Sequence, residues 1–128
     1  MKNGRFFFLF LFLSSCMMYI LPEDLPRLKG TWDGWYVVRN LHYRSALNIY
    51  NEWLPLRGSL MMEGSPGEKP VFYAFENGYI DDRGRLIVRL NHETVLDLAL
   101  IRKYAEFKLD GIFSSGEQSG RIALLKVG

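Results

Sequence analysis

The stretch Tyr104-Ala105-Glu106-Phe107-Lys108-Leu109-Asp110-Gly111 decides the fold. Successive side chains of a β-strand point to opposite faces, so strict alternation of apolar and charged residues predicts a half-buried strand. One face of this strand carries Ala105, Phe107 and Leu109, and the other carries Tyr104, Glu106, Lys108 and Asp110. A strand with one buried and one solvent-exposed face is typical of antiparallel sheets.

Similar patterns recur along most of the chain after Lys29. Strands are predicted for 30–38, 56–63, 71–75 with a continuation through 78–80, 86–90 and 120–127. Turn-forming residues separate them at Gly64–Gly67, Asp81–Gly84 and Ser114–Ser119.

Two stretches have no clear period. Leu41 to Trp53 mixes aromatic and apolar residues without a clean helical or strand pattern, and Thr94 to Lys103 is apolar on all sides. A strand is favoured for the second stretch because its neighbours are strands and hairpins tend to follow one another. The total of about seven or eight short antiparallel strands predicts an all-β domain, either a small up-and-down barrel or a sandwich.

Composition limits what the chain can be. With 128 residues, 48% of them hydrophobic and 23% charged, the chain is long enough for one globular domain. Without Lys2 and Arg5, which lie before the expected cleavage point, the remaining basic residues equal the 14 acidic ones in number. A domain near neutrality exerts no long-range attraction on phosphates, so nucleic acid is not expected as a partner.

The N-terminus has the features of an export signal. Lys2 and Arg5 precede an apolar run from Phe6 to Leu13, and Leu13-Ser14-Ser15-Cys16 follows it. This order resembles bacterial lipoproteins, whose lipobox places an aliphatic residue three positions before a cysteine. The resemblance implies cleavage before Cys16, attachment of diacylglycerol and an acyl chain such as palmitate, and, with Met17 after the cysteine, location at the outer membrane.

Two other interpretations of this segment stay open. The first is an ordinary signal peptide with an incidental cysteine. The second is an uncleaved anchor that runs from Phe6 to Leu21, although this run is shorter than the ~20 residues that span a bilayer. The expected organisation is a signal peptide at 1–15, a lipidated cysteine with a tether at 16–28, and one barrel-like domain at 29–128. Pro22, Asp24 and Pro26 predict an extended tether without a helix.

The beginning of the domain resembles a known group of barrels. Gly30-Thr31-Trp32 opens the first strand directly after the linker. This is similar to lipocalin-like and avidin-like proteins, together called calycins, in which Gly-x-Trp starts the first strand and the tryptophan plugs the closed end. The resemblance implies a structural role for Gly30 and Trp32.

The residues that could carry chemistry do not form an enzyme signature. His42 and His92 are far apart and lie in no metal-binding motif, and Asp81-Asp82 is better explained as a turn. Ser114, Ser115 and Ser119 do not form a nucleophile elbow. Glu106 and Asp110 flank Lys108 as a solvated charged ladder. We therefore expect no enzyme, no metal and no cofactor, unless a pocket gathers His42 or His92 with a carboxylate.

Aromatic residues remain as candidates for binding. Trp35 shares a strand face with Asp33 and is expected outside, where an exposed tryptophan indicates a contact. Aromatic side chains that could line a cup are Trp32, Trp35, Tyr36, Tyr50 and Trp53. We expect a protein-interaction module that binds an envelope or host protein. The alternative is a carrier of a small apolar ligand, which an aromatic-lined interior of ~300 Å³ or more would favour. A filled interior with Trp35 outside would favour the interaction module.

Overall fold

The structure is a computed structural model that describes residues 17–128. The predicted signal peptide and the lipid on Cys16 lie outside the described residues. The expected all-β class is confirmed, and a closed antiparallel barrel of eight strands is the arrangement that the chain adopts. The barrel strands are β2 (Gly30–Val38), β3 (Leu41–Ile49), β4 (Leu56–Met62), β5 (Val71–Ile80), β6 (Leu86–Arg89), β7 (Thr94–Lys103), β8 (Glu106–Ser115) and β9 (Gln118–Lys126).

Closure of the barrel follows from the strand pairing. Each strand from β2 to β8 pairs with the next one in the chain, and β9 returns to pair with β2. The path is therefore an up-and-down meander, not a sandwich of two sheets. A full cylinder leaves none of these eight strands as an open edge along its whole length.

Both of the stretches without a clear period contain strands. Residues 41–49 form β3, and β7 spans 94–103, the same bounds as the uncertain apolar run. Leu96, Leu98 and Leu100 of β7 face the core, while Ala99 is only 3% exposed on the other face. Because part of β7 is buried on both faces, its sequence does not alternate between apolar and polar residues.

The loop predicted at Ser114–Ser119 is shorter than expected. Ser114 pairs with Ser119 and Ser115 with Gln118, so the strands continue to a two-residue turn at Gly116-Glu117. Gly116 has φ +59°, a conformation that glycine adopts without strain. Small polar residues predicted a flexible loop here, but they occur in a hairpin whose pairing extends to its tip.

The core fills the barrel from its middle to one end, the closed end. Trp32 is fully buried there, and its indole N–H donates a hydrogen bond to the Leu28 carbonyl at 2.9 Å. Gly30 has φ +129°, and a Cβ there would lie 2.0 Å from the Gly128 carbonyl oxygen. The start of β2 and the C-terminus therefore approach too closely for any residue other than glycine at position 30. Fully buried side chains in the same core cluster are Leu28, Leu56, Leu86, Leu100, Leu109 and Leu124.

The expectation of an extended, non-helical tether is wrong for residues 17–28. Met17–Met18 forms a short strand, β1, which pairs with β7, and the chain then makes a 3₁₀ turn at Pro22–Asp24 and a helix, α1, at Leu25–Leu28. The prolines occupy early positions of these turns, where no amide hydrogen is needed for the helical hydrogen bonds. None of the helices within residues 17–128 is long and apolar enough to span a membrane.

Burial and one carboxylate hold this segment on the barrel. Ile20, Leu25 and Leu28 lie in the core, so the segment closes the barrel end. Asp24 is 4% exposed, accepts the amide hydrogen of Leu21 at 3.0 Å and pairs with Arg27 at 3.0 Å. A sequence that looks like a spacer thus belongs to the folded domain.

Candidate ligand site at the mouth of the barrel

The end of the barrel opposite to α1 is open, and we call it the mouth. It is surrounded by the turn at Arg39-Asn40, the loop 63–70, the loop 90–93 and the turn Gly116-Glu117. A cavity of about 460 Å³ opens here, within the range of small-molecule sites. Its walls come from inward-facing positions near the strand ends: Tyr36, Val38, Tyr43, Met62, Tyr73 and Phe113.

Three of the aromatic rings in the wall are packed against one another. The Tyr36 and Tyr43 rings stack with centroids 5.2 Å apart, and the Phe113 ring meets Tyr36 edge-on at 5.3 Å. Offset stacking and edge-to-face contacts are favourable geometries for aromatic rings and hold them in place. The mouth therefore presents a preformed apolar wall to a ligand.

Tyr36 is the centre of this wall and also carries its best-placed polar group. Its hydroxyl donates a hydrogen bond to the Glu63 carbonyl, which ties β2 to the loop 63–70. Burial, together with the nearby Tyr43 and Glu63, raises the pKa of Tyr36 above its ordinary value. The phenol therefore stays protonated and keeps donating at any physiological pH.

Polar groups are distributed around the rim and on one side of the cavity. Glu63, Glu68, Lys69 and Arg39 line the rim, so both signs of charge are present. On the side formed by β7 and β8, the Thr94 and Ser115 hydroxyls lie 2.9 Å apart in a hydrogen bond, and Thr94 is 2% exposed. The site is suited to a molecule with an apolar body and a polar or charged end.

A second, outer depression brings a histidine close to carboxylates. It has a volume of about 610 Å³ and is lined by His42 together with Glu63 and Glu68. Among the hydrogen bonds of residues 17–128, none joins His42 to either carboxylate, so the contact that orients a catalytic base is not formed there. The absence of enzyme activity stays a prediction. Within the same residues, no three potential metal ligands of the histidine, cysteine, aspartate or glutamate type form a cluster.

The five aromatic residues considered for a cup do not come together. Only Tyr36 lies in the mouth. Trp35, the next residue of β2, points outward and is 51% exposed, next to the ion pair of Asp33 and Arg44 at 3.0 Å. Trp32 closes the opposite end. The alternation of a strand explains this outcome, since neighbouring residues must point to opposite faces.

Tyr50 and Trp53 lie in the loop 50–55 at the closed end, far from the mouth along the barrel axis. Asn51, only 3% exposed, shapes this loop by donating to the Trp53 and Pro55 carbonyls and accepting from the Arg57 amide. The Tyr50 hydroxyl donates to Ser59, whereas Trp53 is 62% exposed. A cup formed by Trp53 and Tyr36 is therefore excluded by their positions at opposite ends.

Sequence reasoning missed three aromatic residues of the mouth: Tyr43, Tyr73 and Phe113. The signal was present for Phe113, which continues the inward face of Leu109 and Gly111 to the end of β8. The inward orientation of Tyr43 could not be predicted because the stretch from Leu41 to Trp53 shows neither a helical nor a strand period. In an up-and-down meander, the turns 39–40, 63–70 and 116–117 all lie at the same end of the barrel. Inward-facing residues beside these turns therefore meet there, and the predicted turns could have been used to identify the three aromatic residues.

Comparison with known proteins adds no relative. No protein-family model, no curated protein and no solved structure matches this chain. The resemblances to lipoproteins and to calycins therefore stay predictions. The chemistry of the site is inferred from the geometry of this barrel alone.

Proposed function

We propose that this protein is an exported, lipid-anchored barrel that binds a small, partly apolar molecule in its mouth. The observation that carries the proposal is the open cavity of about 460 Å³ walled by Tyr36, Tyr43, Tyr73 and Phe113. Its volume exceeds the ~300 Å³ that a ligand carrier needs. Cys16, at the end of the lipobox-like sequence, is the proposed site of the lipid and the outer membrane is the proposed location.

The shape of the cavity indicates how a ligand would sit. The apolar part would lie against the stacked Tyr36 and Tyr43 rings, where burial of apolar surface is favourable. The polar end would reach the rim, where Lys69 and Arg39 could pair with an anion and Glu63 and Glu68 with a cation. Core side chains fill the barrel from its middle to the closed end, so they limit how deeply a ligand can enter from the mouth. A short amphiphile therefore fits better than a long lipid chain.

The test fills the mouth without disturbing the rest of the barrel. Val38 points into the cavity and its neighbour Val37 points outward, so Val38→Trp is the blocking variant and Val37→Trp is its matched control. Wild-type protein and both variants are purified from membranes, and the small molecules they retain are identified by native mass spectrometry. We expect wild type and Val37→Trp to retain the same molecule and Val38→Trp to lose it.

Two results would contradict ligand binding. One is that all three proteins carry no small molecule, even after incubation with an envelope lipid and metabolite extract. The other is that Val38→Trp retains the same molecule in the same amount, which would place the ligand elsewhere.

A second candidate function is contact with another protein through the outer wall of the barrel. It is favoured by large apolar side chains that the wall leaves exposed, namely Trp35 at 51% and Phe72 at 71%. Aromatic residues of this kind often dominate binding energy at interfaces. If an envelope protein co-purifies with the wild type and is lost with Trp35→Ala but retained with Val38→Trp, the interaction module is the better description.

A further inference from the structure

The chain enters the described part of the molecule at the closed end of the barrel. β7 runs from the mouth toward the closed end, and Met17 pairs with Ile101 near the finish of that strand. β1 is antiparallel to β7, so Met17 is the β1 residue nearer to the closed end. An acyl group on Cys16, which is bonded to Met17, would thus leave the protein there. Because residues 17–28 pack on the barrel, they would not act as a long spacer between this end and a bilayer.

The closed end also exposes large apolar side chains. Tyr104, in the turn between β7 and β8, is 88% exposed, and Trp53 and Leu54, between β3 and β4, are 62% and 48% exposed. These two connections are on opposite sides of the eight-strand cylinder. Leu21 and Val127 add exposed apolar surface between them. Tryptophan and tyrosine are the residues enriched where proteins meet the lipid headgroup region.

Basic side chains gather on the same end, next to the point where the chain enters. The Arg27 and Arg102 guanidinium groups lie 5.3 Å and 5.9 Å from the centre of the Phe107 ring. Burial, and to a smaller extent the neighbouring Arg27, lowers the pKa of Lys126, whose ammonium donates a hydrogen bond to the Arg27 carbonyl. Lys29 and Lys103 are exposed nearby. The acidic residues of the closed end are Glu23, Asp24, Glu52, Asp81, Asp82 and Glu106. Asp24 is paired with Arg27 and Asp81 with Arg83, and the excess of bases is confined to the side formed by α1, the β7–β8 turn and the end of β9.

We propose that the closed end is a membrane-contact surface that rests on an anionic bilayer and points the mouth toward the aqueous space. The surface consists of Leu21, Trp53, Leu54, Tyr104 and Val127 with the bases Arg27, Lys29, Arg102, Lys103 and Lys126. This inference rests on the lipid anchor proposed at Cys16. Apolar burial at the headgroup boundary and attraction to anionic lipids act together, as in other interfacial proteins. The ligand site then stays open to solvent on the side away from the membrane.

The three tryptophans make the orientation measurable. Full-length protein purified from membranes is reconstituted into phosphatidylcholine vesicles containing phosphatidylglycerol, with brominated acyl chains as the fluorescence quencher. Trp35→Phe leaves Trp53 as the exposed reporter, and Trp53→Phe leaves Trp35 on the barrel wall. Trp32 is buried in both variants and contributes the same background. We expect the brominated lipid to quench the Trp53 reporter severalfold more than the Trp35 reporter, and aqueous acrylamide to show the opposite order.

The outcomes separate the orientation from the anchor. Protein that floats with the vesicles but shows equal quenching of both reporters, or stronger quenching of Trp35, overturns the membrane-contact surface and leaves the anchor standing. Protein that does not float with the vesicles overturns both proposals.

Charge reversal tests the preference for anionic lipid. Arg102→Glu with Lys103→Glu is compared with Arg39→Glu and Lys69→Glu at the mouth, each pair in the Trp35→Phe protein. We expect the first pair to reduce quenching of Trp53 severalfold in phosphatidylglycerol vesicles while the protein still floats, and the mouth pair to leave this quenching unchanged. Quenching that is unaffected by either pair overturns the electrostatic contact with the bilayer.

Discussion

Replacement of Trp32 by alanine is expected to be the most destabilising single change considered for this barrel. The side chain is fully buried, closes the barrel end and donates its indole N–H to the Leu28 carbonyl. Truncation of a buried tryptophan leaves a cavity and costs about 3–5 kcal/mol of unfolding free energy. For a domain of this length, each kcal/mol lowers the melting temperature by roughly 4 °C. We expect Trp32→Ala to melt about 12–20 °C below the wild type.

Two matched variants separate the causes. Trp32→Phe keeps much of the ring volume but loses the hydrogen bond, and should cost about 2 kcal/mol because the buried Leu28 carbonyl loses its donor. Trp35→Ala removes the same side chain from the outer wall, and should cost less than about 1 kcal/mol. Melting is followed by far-ultraviolet circular dichroism in detergent micelles. If Trp32→Ala melts within about 3 °C of the wild type, or no lower than Trp35→Ala, the closed-end packing described for Trp32 is refuted.

Three further changes test other parts of the molecule. Asp24→Ala should lower the unfolding free energy by about 1–2 kcal/mol in denaturant titration, since the Leu21 amide loses its buried acceptor; an unchanged midpoint would contradict this. The raised pKa of Tyr36 means that stability is kept below the ordinary tyrosine pKa and lost as pH rises through the higher one. Tyr36→Phe should therefore remove a tyrosine that ionises above the ordinary tyrosine pKa in absorbance titration, and an unchanged titration at high pH would contradict this. Cys16→Ala should move the protein from the detergent phase to the soluble exported fraction, and unchanged partitioning would count against the lipid.

The barrel could be predicted from sequence because most strands have one face in the core and one in water. Alternation around Leu109 and Trp32 located β8 and β2, and turn residues located the connections. The periodicity failed for β7 because Ala99 is buried on the face opposite to Leu98 and Leu100. Local pattern cannot reveal such burial, which depends on what the rest of the chain places over the strand.

The site was harder to predict than the fold. Trp35 and Tyr36 are adjacent in sequence but face opposite sides of the wall, and Trp53 is at the other end of the barrel. Which aromatic residues meet depends on strand register and on which turns share an end, and both are properties of the whole meander. An extended tether was wrongly predicted for the segment 17–28 for a similar reason. Its prolines are compatible with the first turns of short helices as well as with an extended chain.

Every statement about where this barrel works depends on the chemistry at Cys16. Intact mass measurement and peptide sequencing of the protein isolated from its native membranes test it most directly. We expect a mature chain that starts at Cys16 and carries a diacylglyceryl group on its sulfur. A chain that retains residues 1–15, or that starts elsewhere with an unmodified thiol, would contradict the anchor and with it the proposed orientation of the mouth.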